Sequence, residues 1–118
     1  MTEQEARRFA DDWILAWNSH NLESILEHYS DDVEFTSPFV VELLNEASGT
    51  IHQNHDLRSY FRKGLEAYPE LHFELLNVLI GVSSVTLYYR GVKNLLTAEV
   101  MYFDDMGKVA KVLAHYSN

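Results

Sequence analysis

Four segments in the second half of this chain read as strands and are joined by turns too short for any but antiparallel neighbours. They are residues 71–80, 85–90, 94–103 and 108–116. Gly81 to Ser84 supplies the first turn and Gly91 the second. Asp104-Asp105-Met106-Gly107 supplies the third, with Gly107 placed for a positive φ. A chain built this way must fold into a meander, and one face of that sheet needs an apolar cover.

The first half supplies the cover. Thr2 and Glu5 form a capping-box pair, and behind them Ala6, Phe9, Ala10, Trp13, Ile14 and Trp17 recur at helical spacing. Asn18-Ser19-His20-Asn21 ends that stripe. Asn21 caps a second, short helix carrying Leu22, Ile25, Leu26 and Tyr29. Ser30-Asp31-Asp32 breaks it, and Val33 to Ser37 alternates as a first strand stopped by Pro38. Gly49 and Asn54 precede a third helix that buries Leu57, Tyr60, Phe61 and Leu65 and ends at Tyr68-Pro69. Between them, residues 39–53 form a long connection whose apolar part, Phe39 to Leu44, suits either a lid or an extra edge strand. Helices first and a meander after give an α+β fold with the helices on one face.

At 118 residues the chain has room for one domain, residues 1–118, and an apolar fraction of 47% is enough for a core. Nine basic residues against 18 acidic give a formal charge of −9, a field that repels phosphate backbones and anionic lipid. Nucleic-acid and membrane partners are therefore not expected. Cysteine is absent, which removes disulfides, thiolate metal sites and cysteine nucleophiles together. No apolar run approaches the ~18 residues of a membrane span, and the opening residues are not a secretory signal. A cytoplasmic protein without a cofactor is the expectation.

Strand parity sorts the faces. In 85–90, Val85, Leu87 and Tyr89 point one way, toward the helices; Ser84, Thr86, Tyr88 and Arg90 point the other. In 94–103, Leu95, Thr97, Glu99, Met101 and Phe103 share one face, and Asn94, Leu96, Ala98, Val100 and Tyr102 the other. Both faces are mostly apolar, so the outer one also needs cover. In so short a chain a second copy is the simplest cover, and a homodimer through the outer sheet face is expected.

The run Trp13-x-x-x-Trp17-Asn18-Ser19-His20-Asn21-Leu22-x-x-Ile25-Leu26-x-x-Tyr29-Ser30-Asp31-Asp32-Val33-x-Phe35-x-Ser37-Pro38 resembles the opening of the nuclear-transport-factor-2-like superfamily. Within it, the SnoaL-like branch of polyketide cyclases, ketosteroid isomerases and limonene-epoxide hydrolases is most similar. The ending resembles it too: Ala98-Glu99-Val100-x-x-Phe103-Asp104-x-x-Gly107-Lys108-Val109, then Ala114-His115-Tyr116. The resemblance covers nearly the whole chain. It implies a cone-shaped, curved antiparallel sheet capped by three helices from the N-terminal half, a cystatin-like arrangement open at one end and usually dimeric. The shared residues are mainly turn, cap and core residues, which recur whether or not a member is an enzyme.

Glu99 is the leading candidate for chemistry. A carboxylate on a face with Leu95, Met101 and Phe103 loses solvation, so its pKa should rise, and it can act as an acid or a neutral donor. The resemblance implies the same, because ketosteroid isomerases carry an oxyanion-stabilising Asp at this position. The competing role is a buried glutamate tied to a Tyr or Trp. Ser37 stands where those isomerases carry a catalytic base, and serine cannot fill that role unaided. Trp13 stands where they carry a donor Tyr, and its indole N–H can donate. Epoxide hydrolases use an acidic residue near His115, the one side chain there able to act as a base near neutral pH. Alternation puts either His115 or Tyr116 in the pocket, not both. Arg90 points outward, away from any such site.

His52, His55 and Asp56 stand together before the third helix, where they also serve as polar caps; no metal site is expected there. Lining for a small apolar ligand would come from Trp13, Trp17, Ser37, Tyr60, Leu87, Tyr89, Met101 and Tyr116. Three functions remain open. One is acid–base isomerisation, cyclisation or hydration of a small hydrophobic oxygenated compound, with Glu99 as acid and His115 as base if it turns inward. The second is ligand binding without chemistry. The third is a dimerisation domain whose cone is filled by Trp13, Trp17, Phe35, Tyr60, Phe61 and Phe103.

Overall fold

The computed structural model describes residues 1–117. Its first helix, α1 (Glu3–Asn18), opens with the expected capping box: the Thr2 side chain accepts from Glu5 N, and the Glu5 carboxylate accepts from Thr2 N at 2.8 Å. Ala6, Ala10, Trp13 and Trp17 form its buried stripe. Asn18 ends the helix and bonds Phe73 twice, donating to its carbonyl at 3.0 Å and accepting from its N–H at 2.7 Å. That clamp ties the helix end to the segment entering the meander. Asn21 caps α2 (Leu22–Leu26), accepting from Ser24 N.

The next elements differ from the sequence expectation. Strand β1 runs Tyr29–Thr36, starting four residues before Val33 and absorbing the residues read as a helix break. Pro38 ends the strand but also begins a helix, α3 (Pro38–Leu44), with Ser37 as its cap. Proline suits a first helical turn because its missing N–H would be unpaired there anyway. The apolar run 39–44 is thus a helix, the fourth of the fold, and the extra edge strand is the short β2 (Thr50–His52) after it. Helix α4 (Asn54–Ala67) follows, with Leu57 and Phe61 buried. Asn54 is its first residue rather than preceding it, and its side chain donates to the carbonyls of Leu26 and Tyr29.

The meander is β3 (Glu74–Ile80), β4 (Ser84–Arg90), β5 (Leu96–Phe103) and β6 (Val109–Tyr116). Asp104 Oδ1 accepts from the N–H of Met106 and Lys108, and Gly107 takes φ +78° in the last hairpin. The sheet order is β2-β1-β6-β5-β4-β3. All ladders are antiparallel except β1 with β6, which is parallel. Short hairpins dictate direction only between consecutive strands. β1 meets β6 after some seventy intervening residues, a connection long enough for either sense. The result is an α+β fold with a curved six-stranded sheet that does not close into a barrel.

Parity holds where the strands are regular. Val85, Leu87 and Tyr89 are buried, as are Thr97, Glu99 and Met101. In β6 a register shift opposite Tyr102 and Phe103 turns Val109 inward beside Val112, although strict alternation would put it on the face of His115. On the outer face Leu79 and Tyr102 are exposed, and Ala98 and Val100 are half-buried. Among the described residues no helix is long and apolar enough to cross a membrane.

Candidate functional site

Aromatic rings from both layers meet above the middle of β4 and β5. Trp13 packs edge-on to Tyr89 at 5.3 Å and stacks on Phe73 at 5.7 Å; Trp17 meets Phe61 at 4.8 Å; Phe35 meets Phe61 at 5.4 Å. Each such pair contributes roughly 0.5–1.5 kcal/mol beyond its buried area. Rings are too rigid to fill a cone completely. They leave a hollow of about 80 Å³, walled by α1, α4 and β5, with Phe39 and Leu43 of α3 at its edge. Of the aromatic residues named as able to fill the cone, Trp13, Trp17, Phe35, Tyr60 and Phe61 line this space, while Phe103 packs against Phe9.

Glu99 sits in its wall, 4% exposed, and its Oε2 has no hydrogen-bond partner among the described residues. Burial pushes its pKa up to about 7, with hydrogen bonding to Tyr89 pulling partly the other way. No Lys, Arg or His lines the hollow to hold the carboxylate charged. Tyr89, Tyr116 and Tyr60 share the wall. Burial, with repulsion from the nearby Glu99 charge, raises all three hydroxyls, Tyr60 to about 12. They therefore remain neutral donors at any physiological pH. Trp13 Nε1 donates to the Tyr29 hydroxyl at 2.9 Å. Trp17 Nε1, on the next turn of α1, is buried with no partner among the described residues.

The structure brings together most of the residues singled out in the sequence, though not all at the surface of the hollow. Trp13, Trp17, Tyr60, Tyr89, Glu99 and Tyr116 line it. Leu87 and Met101 are fully buried behind the wall and belong to the core. Ser37 is also buried, and its hydroxyl accepts from Phe39 N at 3.2 Å. Its observed role is to start α3, which a base substitution at that position would also have to serve. His115 lies on the outer face, exposed, so Tyr116 is the one of the pair that turns inward. A basic role for His115 inside the hollow is incompatible with that placement. Arg90 stays outside and faces Glu74 at 3.8 Å.

Several lining residues escaped the sequence reading. Thr97 was visible by parity, two positions before Glu99. By sequence, Tyr68 ends the third helix, and Leu71 and Phe73 open a strand that in fact begins only at Glu74; the Asn18 clamp and the rings of Trp13 and Tyr89 hold Phe73 at the wall. His20, in the turn that ends α1, is half-buried and bonds the Leu71 carbonyl at 2.8 Å. His52 lies 3.7 Å from Glu34, and among the described residues no three His, Asp or Glu side chains gather as a metal site.

Comparison with known proteins agrees with this architecture. The SnoaL-like domain matches over residues 6–112. A SnoaL-like protein of unknown function from Burkholderia thailandensis is 42% identical, over 99% of this chain and 98% of that one, with a TM-score of 0.97. An NTF2-like protein of unknown function from Cytophaga hutchinsonii aligns over 95% of this chain and 89% of that one, with 12% identity and a TM-score of 0.74. A proposed ketosteroid isomerase from Kribbella flavida aligns over 98% and 79%, with 16% identity and a TM-score of 0.76. The last two share the fold. No curated protein matches the sequence.

Proposed function

The chain belongs to the SnoaL-like domain family, and we propose that it performs acid–base chemistry on a small, hydrophobic, oxygen-bearing molecule held against Glu99. The observation that supports this most is the Glu99 carboxyl itself. It is buried, faces an apolar hollow, and has a pKa displaced to about 7, where it is protonated and ionised in comparable amounts at neutral pH. A group poised there can both take and return a proton. Because His115 is outside and Ser37 is engaged at α3, one carboxyl does both jobs in this reading. It takes a proton from carbon beside a carbonyl and delivers it to a second position or back to the first. Tyr89 and Tyr116, neutral donors on the same wall, stabilise the enolate oxygen. Isomerisation, cyclisation and hydration all draw on that step.

The second reading, binding without chemistry, is favoured by the same absence of a separate base in the hollow. Deuterium uptake separates the two. Small ketones and enones incubated with the protein in heavy water should exchange their α-protons faster than with Glu99→Gln. Equal rates across the panel would leave a binding pocket only. In this reading the protein is cytoplasmic, and two copies pair through the outer sheet face. Exposed Leu79 and Tyr102, with half-buried Ala98 and Val100 on the same face, support that pairing.

A further inference from the structure

The hollow, about 80 Å³, is smaller than the ~150 Å³ that holds benzene elsewhere, so it encloses only a few heavy atoms. A longer molecule must leave it. A wider groove of about 350 Å³ adjoins it, and Tyr68, Leu71 and Val92 belong to the walls of both. The groove is bounded by the end of α4 and by the turn that joins β4 to β5. A ligand that outgrows the hollow therefore has a second space beside it.

Among the described residues, Lys93 is the only basic side chain on either wall. Its Nζ lies 5.8 Å from the centre of the Phe39 ring, and that ring meets Tyr116 at 4.4 Å. Phe39 and Tyr116 both line the hollow. No carboxylate among the described residues stands within ion-pair distance of Lys93, although Glu70 lines the same groove. Lys93 and Asn94 are the central residues of the turn, with φ of +57° and +61°, closed by Leu95 N donating to the Val92 carbonyl. A turn of this hand favours Asn followed by Gly, and a lysine in the left-handed region is strained. The turn's shape does not ask for lysine.

We propose that the groove holds the carboxylate tail of the molecule whose carbonyl end sits against Glu99, with Lys93 as the tail's counter-charge, so that the ligand is an oxo acid. This rests on the carbonyl reading of the hollow and adds the chemistry of the ligand's far end. A neutral tail gains nothing from Lys93, and an ammonium tail is repelled by it. The chain's charge of −9 repels anions at a distance, so a local cation decides whether an acid is held. Lys93 is then a specificity-determining residue set apart from the reacting atoms, and Glu70 works against it. Two ring contacts separate the ammonium from Tyr116, so the spacer between carbonyl and carboxylate is several carbons long.

The probes are 6-oxoheptanoate and its methyl ester, which differ in the charge of the tail. Trp13 and Trp17 line the hollow, so indole fluorescence follows the binding of either. At low salt the acid should bind about threefold more tightly than the ester, the size of an exposed charge pair. Lys93→Gln should remove that advantage, Glu70→Gln should enlarge it, and high salt should erase it in the parent protein. Equal affinity of acid and ester in the parent, or a Lys93→Gln effect that falls on both alike, would overturn the tail site. Exchange of the ester's α-protons in heavy water, lost in Glu99→Gln, would then still uphold the carbonyl chemistry. Acid binding that depends on Lys93, with no exchange from either compound, would uphold the tail site and remove the chemistry. Failure of both compounds to bind would remove both.

Discussion

Trp13 and Tyr29 are joined by a 2.9 Å hydrogen bond from indole to hydroxyl, with both side chains shut away from water at 1% and 4% exposure. The bond links α1, whose Trp13 lines the hollow, to the first residue of β1. Tyr29→Phe removes the acceptor and leaves the Trp13 N–H buried and unpaired. The expected loss is about 1–3 kcal/mol of unfolding free energy. Trp13→Phe combined with Tyr29→Phe should cost less than the sum of the single changes. Urea denaturation of the three variants measures this, and strict additivity would mean that the bond contributes nothing.

Stability should fall as pH rises through Glu99's range. Its folded pKa, about 7, lies above the ordinary glutamate value of 4.5, so the folded chain binds the extra proton between those limits. Below pH 4.5 both states are protonated and no penalty exists. The penalty grows through the window and is complete above it, at about 3 kcal/mol. The tyrosines facing Glu99 (Tyr29, Tyr89 and Tyr116) titrate above this range and do not blur it. Glu99→Gln should be the more stable protein at pH 8 and lose this slope. Denaturant midpoints from acid to mildly alkaline pH check it; a variant with the same slope as the parent would contradict it.

Gly91 packs closely behind two rings of the hollow's wall. A Cβ there would lie 2.9 Å from Cε2 of Tyr89 and 3.4 Å from Phe73. Its φ of −125° is not left-handed, and the close approach to these rings is a demand on this position. Gly91→Ala should push the Tyr89 ring toward Glu99, destabilise the fold by about 1–3 kcal/mol and weaken ligand binding. Tyr89→Phe with Gly91→Ala should not restore binding, since the clash is with ring carbon and not with the hydroxyl. An unchanged melting temperature and affinity in Gly91→Ala would show that the ring moves freely.

The outer sheet face should bring two chains together. Sedimentation at micromolar concentration should give twice the mass of 13.7 kDa, and Val100→Glu, on the outer face of β5, should return the single-chain mass while leaving helix content intact. A parent protein sedimenting as a single chain would end this reading.

Much of the fold is local and was legible. The capping box at Thr2 and Glu5, the Asn21 cap and the Gly107 turn each depend on residues within four positions of each other. The inward placement of Glu99 followed from counting along one strand. Elements fixed by distant partners were not legible. Tyr29 belongs to β1 because β6 pairs with it opposite Val109, although its own neighbours read as helix. Residues 39–44 are helical because Ser37 and Pro38 start them; an apolar run so short carries no period to distinguish helix from strand. His115 and Tyr116 had equal claims until pairing with Ala98 and Thr97 fixed the register.

Sequence alone determined which residue types exist and how they alternate: an acidic, cysteine-free α+β chain with one carboxyl on the apolar face of a late strand. Tertiary structure decided what that carboxyl faces. Packing density is set by rings from four separate segments that meet only when the chain is folded, and their rigid shapes leave a space between them. The loss of water around Glu99 arises from that meeting and from no local pattern.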